Sequence, residues 1–126
     1  MTLLLDTHIY LWYLADSPRM VESVSTQIAE ADDVLVSAAS IWEAAIKIGL
    51  GKLDAQMADV VQGILASGFS ELPVSAHDAS AVAALPPIHT DPFDRLLVAQ
   101  ALSGPFRLLT ADAMVAKYSD LVQLVL

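Results

Sequence analysis

Residues 3–8 read Leu-Leu-Leu-Asp-Thr-His, an apolar run closed by an acid and two polar residues. Three leucines without alternation suit a strand buried on both faces, as in a parallel sheet covered by helices on each side. Asp6-Thr7-His8 ends that strand, and Ile9 to Leu14 continues as an apolar segment rich in aromatics. Asp16-Ser17-Pro18 then stops it and starts a second helix, in which Val21, Val24, Ile28 and Ala31 recur at helical spacing.

The pattern repeats along the chain. Asp32-Asp33 is a turn and Val34 to Val36 a strand, with Ser37 or Ser40 placed to cap a helix that runs to about Gly49 to Gly51. Residues 55 to 66 read as another helix closing at Gly68, and Glu71-Leu72-Pro73-Val74 as a short edge strand, because proline cannot donate to a central ladder. His77 to Leu85 reads as helix until Pro86-Pro87, and Asp91-Pro92 opens a helix to about Leu102 before Ser103-Gly104-Pro105 breaks it. Arg107 to Leu109 is a strand, Ala111 to Ala116 a short helix and Leu121 to Leu126 a last strand. Alternation in this order predicts an α/β fold with a parallel sheet and helices on both faces. No internal repeat or interdomain linker is visible, and 126 residues predict one domain able to bury a core without staples.

Composition narrows the function. The chain has no cysteine, which removes disulfides, thiolate nucleophiles and cysteine-ligated metals and leaves hard oxygen ligands and three histidines. The apolar start lacks a basic leader and is interrupted by Asp6, and no run approaches the length of a membrane span, so a soluble, cytoplasmic protein without membrane contact is expected. Fifteen acids against six Lys and Arg give a net charge of −9, which opposes non-specific binding to nucleic acid and confines any such role to one locality. Hydrophobic content of 56% against 17% charged suggests surface buried in an oligomer or heterocomplex.

Four carboxylates, Asp6, Glu43, Asp94 and Asp112, lie where an apolar run gives way to a turn or helix. In an open parallel sheet, ligands bind outside the carboxyl ends of the strands, so acids distant in sequence can meet there. Clustered acids repel, and a divalent cation is the usual remedy. Each has a bland reading. Glu43 can pair with Lys47 at i,i+4, although its helix is apolar nearly all round and a buried ionised Glu needs a partner or a metal. Asp91 is suited to N-cap, Pro92 to N1 and Asp94 to N3, where a carboxylate can reach back to the cap. Asp6 and Asp112 can be turn or cap residues, with Thr110 competing for the last role.

Other candidates are weaker. His8, His77 and His89 lack metal-ligand spacing, although His8 and His89 can line a cleft. Ser40 reads equally as a cap or a contact to the site, no Gly-rich phosphate loop or Ser-His-Asp arrangement appears, and the bulky aromatics Trp12, Trp42, Phe69, Phe93 and Phe106 read as core. Carboxylates and water suit Mg²⁺ or Mn²⁺, which can activate a water for attack on a phosphodiester.

Read together, Leu-Leu-Leu-Asp6-Thr7-His8, Ser37-Ala-Ala-Ser40-Ile-Trp-Glu43-Ala-Ala-Ile-Lys47, Gly51-Lys52-Leu53, His89-Thr-Asp91-Pro92-Phe93-Asp94-Arg95 and Leu109-Thr110-Ala-Asp112 resemble the PIN-domain ribonucleases, specifically the VapC toxins of bacterial toxin–antitoxin pairs. The resemblance spans essentially the whole chain, and the Asp-Pro-Phe-Asp-Arg block is its most telling part. It implies a three-layer α/β/α PIN domain over residues 1–126, a Mg²⁺ or Mn²⁺ site, endoribonuclease activity leaving 5′-phosphate and 3′-hydroxyl ends, and inhibition by a VapB-type antitoxin. Asp6, Glu43 and Asp94 match the first three family acids and Asp112 the fourth, less uniform one. On that basis Asp6 and Asp94 are expected as principal metal ligands, Glu43 as a ligand through water or an aid to the attacking water, and Asp112 as an outer or second-metal ligand. Lys47, Lys52 and Arg95 are the candidates for phosphate contact. A homodimer is expected, with an antitoxin groove between the early helices around Trp12, Leu14, Ile46 and Leu50.

Two alternatives make different demands. A response-regulator receiver needs an acidic pair after its first strand and a late lysine after a long strand, which Asp6-Thr7 and Lys117 do not supply. A catalytically idle PIN-fold binding module predicts loss of one or more acids, and all four are present.

Overall fold

Leu3, Leu4 and Leu5 occupy the middle of the sheet, and their alternation between its two faces explains why none of them is polar. The computed structural model describes residues 1–125. In chain order its elements are β1 (Thr2–Leu5), α1 (Thr7–Leu14), α2 (Glu22–Glu30), β2 (Asp33–Ser37), α3 (Ala38–Gly49), α4 (Met57–Ala66), β3 (Ser70–Leu72), α5 (Ala76–Ala81), α6 (Pro92–Ser103), β4 (Arg107–Thr110) and β5 (Val122–Leu124). All strand pairs are parallel and the sheet order is β3-β2-β1-β4-β5. The chain winds outward from β1 in one direction and then crosses back to β4, so the reversal of strand order falls between β1 and β4. That is the crevice where such sheets bind ligands.

On one face, Leu3 and Leu5 pack in a cluster with Ile9 and Tyr10 of α1, Val24 and Ile28 of α2, and Val60 and Ile64 of α4. On the other, Leu4 and Leu108 meet Leu97, Val98 and Ala101 of α6. These two cores make the three α/β/α layers. Leu4, Leu5, Leu108 and Leu109 are fully buried, and each such side chain contributes about 1.5–3 kcal/mol by leaving water. Helices α1 and α4 approach closely because position 63 is glycine. A Cβ there would stand 2.6 Å from Leu14 Cδ2 and 3.0 Å from the Tyr10 hydroxyl. That hydroxyl donates to the Val60 carbonyl at 2.6 Å, and burial pushes its pKa up to about 12.

Most predicted elements are present, and the departures have local causes. Val21 is the residue before α2 rather than part of it. Asp33 joins β2 instead of completing a turn. The helix expected over 111–116 is replaced by a turn and a 3-10 segment at Val115–Tyr118. Asp112 Oδ1 takes the Met114 N–H at 2.8 Å, a side-chain bond that competes with helix formation. The segment read as helix over 77–85 begins one residue earlier, at a Ser75–Asp78 capping box, and tightens to 3-10 at Val82–Ala84. The last strand is shorter than 121–126, and Leu126 lies outside the described residues. Among the described residues, no helix is long and apolar enough to cross a membrane.

Candidate metal centre

Asp6 is the first residue past β1, and its backbone N–H donates to the Leu109 carbonyl at 3.0 Å, extending the β1–β4 ladder by one step. This fixes the carboxylate at the sheet edge. Its Oδ1 caps α1 by accepting from the Ile9 N–H at 2.8 Å, and its Oδ2 accepts from the Thr110 hydroxyl at 2.7 Å. Asp6 is 4% exposed, and burial holds its pKa above the ordinary aspartate range, the bonds from Ile9 and Thr110 and the His8 charge acting the other way. Capping and a place in the site are therefore compatible for this residue. Thr110, read from the sequence as a competitor of Asp112 for the cap, orients Asp6 and also accepts the Asp112 N–H at 3.1 Å.

Helix α6 presents Asp94. Asp91 is the N-cap, accepting from the Asp94 N–H at 3.0 Å, and Pro92 follows at N1. The reciprocal bond of a capping box is absent because the Asp91 N–H donates to His89 Nδ1 at 3.0 Å. The Asp94 carboxylate is thereby left for the crevice. Burial first, then the charges of Asp91, Asp6 and Glu43, push its pKa up to about 7, with His89 opposing. This is the behaviour of a partly buried carboxylate held among other acids.

Glu43 sits on the inner side of α3 and is buried, with Oε2 2.9 Å from Lys47 Nζ. The i,i+4 pair foreseen as a surface feature is thus present in a buried setting. Glu43 Oε1 is buried with no hydrogen-bond partner. A buried acceptor left unpaired costs about 1–3 kcal/mol, which a water or a cation at this atom would relieve. Lys47 Nζ also lies 3.5 Å from His8 Nε2. Nearby, the Thr7 hydroxyl donates to Ser40 Oγ at 2.9 Å, tying α1 to α3 and giving Ser40 a positional role.

Asp112 stands past β4. Its Oδ2 is 3.0 Å from His89 Nε2, which is also 3.6 Å from Asp94 Oδ2. Its slight burial alone would raise its pKa, but the Met114 N–H and the His89 ring hold it below the ordinary range. Ligand atoms of His89, Asp94 and Asp112 all lie within 4.8 Å of one another. His89 stands at no metal-ligand spacing in the sequence, and its surroundings explain how it can be close to the acids without being a metal ligand. Because Nδ1 accepts the Asp91 N–H, Nε2 carries the proton of the neutral ring, and an N–H donor has no lone pair for a cation.

Asp6, Asp94 and Asp112 line one cleft of about 320 Å³, together with His8 and Trp12. Glu43 is not among its lining residues, but its charge acts on Asp94. The donor set is hard oxygen, and together with the unpaired Glu43 Oε1 and the raised Asp94 it fits Mg²⁺ or Mn²⁺.

Two expectations need correction. Arg95 is not free for phosphate, since its guanidinium donates to the carbonyls of Pro86 (3.0 Å), His89 (3.4 Å) and Val82 (3.1 Å) and to the Tyr118 hydroxyl (3.0 Å). Tyr118 in turn accepts the His89 N–H at 2.8 Å. This clamp fixes the loop that carries His89, and Tyr118 had no sequence signal. The groove expected around four residues is also divided. Leu14 lines a groove of about 420 Å³ with Leu11, Leu53, Ala55 and Val60, while Trp12 faces the acidic cleft and Ile46 and Leu50 are exposed on α3.

Known proteins share this architecture. A ribonuclease of Mycobacterium tuberculosis (strain ATCC 25618 / H37Rv), VapC22, is 31% identical over 121 residues, covering 88% of this chain and 87% of its own. The VapBC2 complex of Rickettsia felis, solved bound to a DNA fragment from its promoter, has a chain that superposes with a TM-score of 0.73 at 17% identity, over 98% of each chain. A toxin–antitoxin complex from Klebsiella pneumoniae gives 0.68 at 20% identity, over 95% of this chain and 94% of that one. At such identities these two likenesses are of fold. Residues 3–121 match the PIN domain family, and the chain belongs to it.

Proposed function

We propose that this protein is a metal-dependent endoribonuclease, the toxin of a toxin–antitoxin pair, acting in the cytoplasm as a single PIN domain over residues 1–126. The observation that carries the reading is the meeting of Asp6, Asp94 and Asp112 in one cleft at the carboxyl edge of the sheet, with the charge of Glu43 acting on Asp94 from beside it. The ribonuclease named for the Mycobacterium tuberculosis relative and the toxin–antitoxin assembly of the Klebsiella pneumoniae neighbour support it.

Asp6 and Asp94 are the principal ligands for Mg²⁺ or Mn²⁺, Glu43 binds through water or aids the attacking water, and Asp112 is an outer or second-metal ligand. A divalent cation held there would make a bound water easier to deprotonate for attack and would offset negative charge on the phosphodiester. Thr110 and the α1 N-terminus hold Asp6 in one orientation. His89 donates to Asp112 and fixes the rotamer that faces the cleft. Lys47 neutralises one Glu43 oxygen and leaves the other free for the site.

Partners follow from surface chemistry. The groove beside Leu14 is apolar with Asp54 and Asp59 at its edge, which suits a basic, amphipathic antitoxin segment. Trp42 and Ile46 of α3 and Leu50 at its C-cap form an exposed i, i+4, i+8 stripe, continued by an apolar hollow lined by Trp42, Val82, Phe93 and Leu96. This is a face for a homodimer.

The test is RNA cleavage with Mg²⁺ or Mn²⁺, with EDTA, and with Asp6→Asn. Cleavage by the unmodified protein alone, lost in EDTA, is expected. Equal activity of the two proteins removes the mechanism.

A further inference from the structure

An acidic nuclease must guide a polyanion to a cluster of acids, and the few cations show where that is feasible. Of the six Lys and Arg, Arg95 is enclosed by backbone carbonyls. Arg107 starts β4, at the end of the sheet opposite the acids, and donates to the Asp120 carbonyl at 3.4 Å. Lys52 and Lys117 are exposed and do not line the cleft. Two cations remain beside the cleft, Lys47, which contacts His8, and Arg19, which lies over the Trp12 ring at 5.5 Å from its centroid.

These residues form a continuous row. His8 and Trp12 are one turn apart on α1, their rings 5.9 Å from each other, and both line the cleft with Asp6 and Asp94. Trp12 is only partly buried, so the sequence reading of it as core accounts for one side of the ring. Residues Leu11 and Leu14 of the same helix face the apolar groove instead. Helix α1 thus separates an aromatic, cationic face from an aliphatic one. An aromatic ring with an adjoining guanidinium, beside a phosphodiester-cleaving site, is how single strands are held without base pairing.

We propose that the surface formed by His8 and Trp12 of α1 and by Arg19 in the turn after it is the single-stranded RNA path leading out of the cleft, with a base against Trp12 and the neighbouring phosphate on Arg19. The inference rests on the nuclease reading above. The experiment is steady-state cleavage, with Mn²⁺, of a short single-stranded RNA taken from the cleaved fraction of a random pool. Arg19→Gln is expected to raise KM about fivefold, to leave kcat within about twofold, and to reduce the salt dependence of binding by about 0.7 in log–log slope. Trp12→Leu raises KM further, Trp12→Phe restores it, and Arg107→Gln changes neither constant. Arg19 is exposed, so its variant decides the matter even if Trp12→Leu fails to fold. Cleavage with unchanged KM in Arg19→Gln overturns the path while leaving the nuclease reading intact. An Arg19→Gln protein that loses antitoxin affinity and keeps its KM assigns the face to the protein partner and also overturns it. No cleavage by the unmodified protein overturns both.

Discussion

Two buried polar clusters lie at the same edge of this sheet and are built to opposite standards. In the first, Ser37 donates to Gln100 Oε1 at 2.6 Å, and Gln100 Nε2 donates to the Pro73 carbonyl at 3.1 Å and Asp78 Oδ2 at 3.3 Å. Gln100 is 1% exposed and completely paired, so it joins β2, the segment after β3, α5 and α6 into one unit. In the second, the charges of Asp6 and Glu43 act on Asp94, one buried oxygen lacks a donor, and the Asp94 carboxyl is pushed up to about 7. A satisfied buried network rigidifies a fold, whereas an unsatisfied one stores a cost that a ligand can relieve. The difference separates the cluster that holds the fold from the cluster left open to a ligand.

Substitutions can sharpen or break this contrast. Asp6→Asn is expected to have the largest effect, a loss of cleavage by at least about 10²-fold, with near-native circular dichroism, because the amide keeps its place while the ligand charge goes. In the paired cluster the loss should fall on stability. Gln100→Met removes the bonds that tie Ser37, Pro73 and Asp78 together through α6, and chemical denaturation should show about 1–3 kcal/mol of destabilisation.

Asp94→Asn should do the reverse of Gln100→Met. The Asp94 pKa is raised from 3.8 to about 7 on folding, so between those values the folded state keeps a proton that the unfolded state has lost. Stability of the metal-free protein therefore falls as pH rises from about 4 to about 7. Asp94→Asn removes that decline, and thermal melts near pH 8 should rise by about 2–5 °C although cleavage is abolished. A melting temperature that drops in Asp94→Asn would place this residue with the satisfied cluster and erase the contrast.

The Arg95 clamp gives a smaller effect and a clear discriminator. Arg95→Met should cut cleavage about tenfold and speed hydrogen exchange over the loop up to His89. Arg95→Lys should recover little, since one ammonium cannot bridge four oxygens as the guanidinium does. Full recovery by lysine would restore Arg95 to the role of phosphate contact.

Much of this was legible in the sequence. Leu3-Leu4-Leu5 announced a doubly covered strand, and Asp91-Pro92 announced the start of a helix, because burial on two faces and capping geometry constrain local residue choice. The four acids were legible by position, since strand order carries them to one edge. Less visible was the division of labour around them. That the Asp91 N–H donates to His89, leaving Asp94 outside a capping box, depends on a loop conformation with no periodic signature. Gln100 and Tyr118 reach partners 63 and 29 residues away, and long-range side-chain pairing leaves no trace in local pattern. Arg95 misled for the same reason: a lone cation beside acids looks available until its carbonyl partners are known.

The central claim is that Asp6, Glu43 and Asp94 share one divalent ion. Anomalous diffraction from crystals soaked in Mn²⁺ tests it most directly. The expected result is a peak in the cleft at coordinating distance, about 2.1 Å, from oxygens of Asp6 and Asp94 and within one water of Glu43, lost in Asp6→Asn. A cleft empty at saturating Mn²⁺, or an ion bound elsewhere on this acidic surface, would contradict the account.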